Sequence, residues 1–252
     1  MTASTIAALL AVAFAAVVGR RWARSRRPAF AAWAAGLLIF AVAAAAQAIG
    51  LRDGFSPPVF RVFYLFGGVL GVIYLAQGTV YLMAPRRIAH ASALVVAAVT
   101  VVVSADAVVI PVDSAKLGTA AGVLGEAITG HGNPLYIGAV VCNILGTLIL
   151  VGGSGWSAFR LWHDRAGLDR VVCNVLLTSG ALVIAFGFSA AKTVGGGRDA
   201  VDSLGMYEAV GIAVMFAGFL SLGRIRRGGP PADMLLTGRP VGASRAAEPA
   251  RR

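Results

Sequence analysis

Long apolar runs separated by short polar breaks dominate the chain. They fall at 2–18, 29–50, 60–83, 89–110, 135–153, 171–191 and 204–223. A helix rises about 1.5 Å per residue, and a bilayer core is about 30 Å thick. The first run is near the shortest length that can cross such a layer, and the other six, at about 19–24 residues, fall within the usual range for a spanning helix. Backbone amides left unpaired in hydrocarbon cost several kcal/mol each, so runs of this kind form helices. The pattern predicts an all-α, polytopic membrane protein with seven transmembrane helices over residues 1–223.

The breaks differ from one another. Leu51–Val59 is a tight turn with Asp53, Gly54 and Pro57-Pro58. The break at 111–134 is the longest. Within it Leu117, Ala120, Ala121, Leu124, Ala127 and Ile128 recur at helical spacing. That spacing predicts an amphipathic helix over about 114–129, started by Asp113 or Ser114 and ended by Gly130, lying over the bundle mouth. Residues 224–252 are mostly Pro, Gly, Ala and Arg, a composition unable to bury a core, which predicts a disordered basic tail.

Charge sets an expected direction. Arg20, Arg21, Arg24, Arg26 and Arg27 sit between the first two apolar runs. Each would cost a few kcal/mol in the bilayer core. Cytoplasmic loops are enriched in such residues, so this loop is expected inside. The cations follow the first apolar run instead of preceding it, which predicts an uncleaved first helix with its N-terminus outside. Alternating the spans then leaves only Arg52, Arg61, Lys116, Lys192 and Arg198 outside, out of 22 lysines and arginines. The C-terminus is placed in the cytoplasm.

Composition agrees with this layout. The 252 residues are 58% hydrophobic and 13% charged, against about half and a quarter in soluble domains. A net charge of +11 raises the question of nucleic acid. The arginines lie in short loops beside apolar runs, so the expected partners are the bilayer and its anionic headgroups on the cytoplasmic face, with no nucleic acid. Cys142 and Cys173 lie in different spans, roughly 13 Å apart along the membrane normal at 1.5 Å per residue, and are expected as free thiols.

Candidate chemistry is sparse. The acids gather on the outer side: Asp53, Asp106, Asp113, Glu126, Asp199, Asp202 and Glu208. Asp106 and Glu208 fall just within span ends, where an ionisable group needs a partner or a wet cavity. Gln47, Arg61 and Lys192 share that depth, and the five residues together define a candidate ligand-binding cluster under the long loop. The alternative is a structural ion pair near the interface. Gln77, Asn143 and Asn174 are the polar residues deeper in the spans, and each is expected to make an interhelical hydrogen bond. Gly67 and Gly71 form a small-xxx-small pair that predicts close approach of another helix.

His90, His131 and His163 share no depth, so no haem pair is expected. No zinc spacing, nucleophile–base pair, P-loop or dinucleotide fingerprint is present. No cofactor, metal or catalytic residue is therefore assigned.

The segments FRVFYLFGGVLGVIYLAQGTVYLMAPRR, NILGTLILVGGSGWSAFRLW and RVVCNVLLTSGALVIAFGFSA resemble a group of seven-span membrane proteins of high-GC Gram-positive bacteria. The resemblance covers residues 29–223 and implies a multi-pass protein of the bacterial plasma membrane. It carries no functional residues. The leading expectation is non-enzymatic binding of a small or lipid-like ligand, or a membrane partner, from the outer side. A transport component or permease-like protein is the second, and a membrane enzyme the third.

Overall fold

The computed structural model describes residues 2–119, 121–130, 132–163, 168–193 and 197–224. Its seven long helices are α1 (Ala3–Ser25), α2 (Pro28–Asp53), α3 (Pro57–Met83), α4 (Arg86–Val109), α5 (Pro134–His163), α6 (Leu168–Thr193) and α7 (Gly197–Arg224). All seven contain a stretch long and apolar enough to cross a membrane. The predicted disordered tail, from 225 onward, lies outside the described residues.

Several helices run past the ends of their apolar runs. α1 continues through Gly19 to Ser25, so Arg20, Arg21 and Arg24 are helical. α5 continues to His163 through what the sequence predicts as a loop. Hydrogen bonds along the backbone do not stop where hydrophobicity stops, and long cationic side chains can carry their heads outward from a helix end. What ends α1 is proline. Pro28 disfavours helical backbone at Arg27, which is extended at φ −77°, ψ 126°. Arg26 takes a left-handed conformation at φ 53°, and its N–H donates to the Trp22 carbonyl at 2.7 Å.

Short connections force sequential helices to run antiparallel. Six of them close a ring in the order α1, α2, α3, α5, α6, α7, with α7 returning to α1. α4 packs outside the ring, on α3 and α5. Its outward face is almost bare: Leu94 and Val109 are each 74% exposed. An exposed apolar face of this kind marks contact with lipid or with another apolar surface.

Without a hydrophobic drive between helices in lipid, close backbone approach supplies the attraction. Gly67 and Gly71 face α2, where a β-carbon on Gly67 would stand 3.2 Å from Ala43 Cβ. On the other side of the ring, a β-carbon on Gly180 of α6 would land on the Gly211 carbonyl oxygen of α7.

The two ends of the ring are filled differently. At the end carrying the arginine turn, Phe14 stacks on Phe216 at 5.0 Å, and Phe219 meets Phe14, Phe30 and Trp33. Arg21 lies over Phe30 and Phe219, at 5.1 and 5.4 Å from the ring centroids. Cation–π contact of this kind holds a cation on an aromatic surface. The opposite end is covered by the segment between α4 and α5.

That segment is not the continuous amphipathic helix expected over 114–129. It holds two short helical turns, Lys116–Gly118 and Gly122–Glu126, closed by an antiparallel bridge from Val112 to Ile128. Glycine spacing explains the break. Gly125 has φ +131°, which a helix cannot contain, and a β-carbon on Gly122 would strike the Lys116 carbonyl. The apolar residues still point one way. Val123 and Leu124 are buried against Phe63, Ala191, Val201 and Leu204.

Candidate functional site

Four of the five residues in the candidate cluster have describable side chains, and three of those four act as structural ties. Asp106, near the end of α4, accepts a hydrogen bond at Oδ2 from the Leu135 N–H at 2.8 Å. Asn133 Oδ1 accepts from the Tyr136 N–H at 2.8 Å. Two of the orphan donors at the start of α5 are thus capped, one locally and one from a different helix. A carboxylate there also meets the positive end of the helix dipole. Asp106→Ala should cost about 1–2 kcal/mol, read as a lower thermal midpoint, with Asp106→Asn recovering part of it.

Arg61 serves the neighbouring helix end. Its Nη2 donates to the Ile110 carbonyl at 2.7 Å, the residue that closes α4. Gln47 is fully buried, and its Nε2 donates to the Val201 carbonyl at 2.9 Å, joining α2 to α7. The alternative of an ion pair with Asp106 or Glu208 does not form through Arg61; among the described residues the ion pair found is Arg52–Asp53 at 2.9 Å. Lys192 is in α6, but its side chain lies outside the described residues.

Glu208 is the exception. It sits on α7, 9% exposed, and its Oε2 has no hydrogen-bond partner among the described residues. It lines a cavity of about 570 Å³ inside the ring. Every ring helix except α1 contributes, through residues such as Phe40, Tyr64, Val72, Asn143, Ile184 and Met215. Val123 and Leu124 of the covering segment close one end of it. Apolar walls with few polar groups, at this volume, match the sites that hold small organic ligands.

The cavity exists because of two local features that the sequence pattern conceals. In α3, residues Phe66–Leu70 form a single π turn. Such a turn inserts one residue into the helix and shifts the faces on either side of it. Asn143 of α5 donates its amide to the Gly68 carbonyl within that turn, and also to the Ala139 carbonyl at 3.0 Å. The second feature is the uneven contact between α5 and α6. They are joined toward the arginine end, where Thr178 Oγ1 donates to Ser154 Oγ at 2.7 Å. Further along, the cavity lies between them.

The deeper polar residues follow expectation in part. Gln77 Nε2 donates to the Ala89 carbonyl at 2.9 Å, and Asn143 bridges α5 to α3, both between helices. Asn174 Nδ2 instead donates to the Arg170 carbonyl at 2.9 Å within its own helix, because an exposed residue one turn away from a carbonyl needs no partner helix. Cys142 and Cys173 are both buried, and neither is in a disulfide.

Sequence reasoning missed the cavity lining. Glu208 stood out by its depth, but Asn143 and the Gly67-Gly68 pair read as packing elements. The Gly-Gly step in mid-span was the available signal for the π turn. Comparison with protein-family models, with curated proteins and with solved structures gives no match for this chain.

Proposed function

We propose that this chain is a multi-pass protein of the bacterial plasma membrane that binds one small amphipathic or lipid-like molecule in the cavity, without altering it chemically. The N-terminus is outside and the C-terminus cytoplasmic, as the arginine distribution favours. Its basic loops then meet anionic headgroups on the inner face. One observation carries the binding role: an apolar cavity of about 570 Å³ with Glu208 in its wall, whose buried Oε2 has no hydrogen-bond partner among the described residues. A buried polar group without a partner costs about 1–3 kcal/mol. A ligand that meets this group offsets the cost.

A transport component would need a path to the arginine end as well. There Phe14, Trp33, Phe216 and Phe219 pack against one another, which favours binding over conduction.

Native mass spectrometry of the full chain, released gently from membranes, tests the reading. The wild type should carry a bound small molecule or lipid. Ala185→Trp, which fills the cavity from α6, should lose that mass while staying folded by circular dichroism. Equal adduct occupancy in both would overturn the proposal.

A further inference from the structure

The chemistry of the wall narrows the ligand. Glu208 presents a carboxyl, and the described residues that line the cavity include no Lys, Arg or His. Asn143 spends its amide hydrogens on the Gly68 and Ala139 carbonyls. What an asparagine so engaged can offer a ligand is its carbonyl oxygen, an acceptor. Asn143 therefore wants a donor, and so does Glu208 when ionised. The hydroxyls of Tyr64 and Thr147, also in the lining, can serve either way. A carboxylate ligand would be opposed by Glu208 in a medium where like charges repel strongly. An ammonium brings three donors, no acceptor and the complementary charge.

The shape of the opening narrows the route. Val140, Ile144 and Leu148 form one stripe along α5, and all three line the cavity. They are also 43%, 56% and 64% exposed, along a cavity that is partly open. Residues that face both the cavity and the outside mark its doorway. Across from them on α6 stand Ile184, Ala185 and Ser189. This doorway faces sideways, where lipid would lie, whereas the end toward the long loop is covered by Val123 and Leu124.

We infer that the ligand is a cationic amphiphile, an apolar chain with an amine head, which enters from the bilayer between α5 and α6 and sets its amine against Glu208. This rests on the binding role proposed above.

Three probes with one chain and three heads test it: dodecylamine, dodecanol and dodecanoic acid, titrated against the full-length protein in detergent or nanodiscs. The wild type should bind the amine at least tenfold more tightly than the acid. Glu208→Gln should bring the amine down to the level of the alcohol and leave the alcohol unchanged. Ile144→Trp, at the doorway, should slow amine association about tenfold with little change in its preference over the acid. If the acid binds as tightly as the amine in the wild type, the head-group assignment falls and the cavity reading survives. That comparison needs no variant, so a poorly folding Glu208→Gln does not blunt it. If none of the three binds and no native adduct is found, the binding role falls too. An association rate unchanged by Ile144→Trp overturns the sideways route alone.

Discussion

Glu208→Leu should make the empty protein more stable and remove its ability to hold the amine probe. The side chain is 9% exposed, Oε2 has no partner among the described residues, and the surrounding wall is apolar. A buried polar group in that condition costs about 1–3 kcal/mol, and more when ionised. Leucine has a similar volume and no polar atom to satisfy. For a chain of this size 1 kcal/mol corresponds to about 2–4 °C, so the thermal midpoint should rise by several degrees. Binding of dodecylamine should fall at least tenfold in the same variant. A residue that lowers the stability of the empty fold while serving the site is the usual mark of function over structure. A fall in the midpoint would identify Glu208 as a structural group and remove the central support for the binding reading.

Gly78→Leu should be the most damaging of the single changes considered. A β-carbon on Gly78 would fall on the Trp33 indole, at Cδ1 and Nε1. Trp33 cannot retreat easily, because it packs edge-on against Phe219 at 6.5 Å and belongs to the aromatic end of the core. Overpacking of this kind costs about 1–3 kcal/mol when neighbours can shift, and the rigid indole places Gly78 at or above the upper end. Loss of close approach between α2 and α3 follows, and in lipid that approach is the main source of attraction. Unfolding in increasing denaturing detergent should therefore begin earlier, with aggregation visible by size exclusion. Gly19→Ala is the control. Nothing lies within 4 Å of a β-carbon there, and glycine inside a helix is less stable than alanine by about 0.5–1 kcal/mol. That variant should be neutral or slightly more stable. Comparable behaviour of the two would show that the Trp33–Gly78 contact is not a fixed part of the packing.

Much of the architecture was legible from hydrophobic runs alone, for a specific reason. In a bilayer every backbone amide must find a partner within its own helix or barrel, so a long apolar run has few alternatives to being a helix. Seven such runs became seven helices. Their ends were less legible, as α1 and α5 show, because continuing a helix past Val18 or Gly153 satisfies further backbone groups whether or not the side chains are apolar. The covering segment was half legible. Its apolar spacing marked Leu117, Leu124, Ala127 and Ile128, which turn inward, but also Ala121, which is exposed, and it passed over the buried Val123. The repeated glycines, which set the backbone path, outweighed that spacing.

The candidate site was legible as a depth but not as a place. Asp106, Arg61, Gln47 and Glu208 do gather toward one end of the bundle, because the sequence determines how far along a helix each residue lies. Which way each points depends on how the helices rotate and pair. Asp106 turns to the free N–H groups of α5 and Arg61 to the end of α4, groups that those helices alone would leave unpaired, while Gln47 turns to a carbonyl within α7. Only Glu208 is left facing the interior space. By itself the sequence determined the helices, their order and the uneven distribution of charge, since these follow from local hydrophobicity and chain length. The tertiary structure alone decided the ring, the π turn over Phe66–Leu70 and the cavity lined by both α5 and α6. Those features arise from contacts between residues far apart in the chain, and no local pattern encodes the angle at which two helices meet.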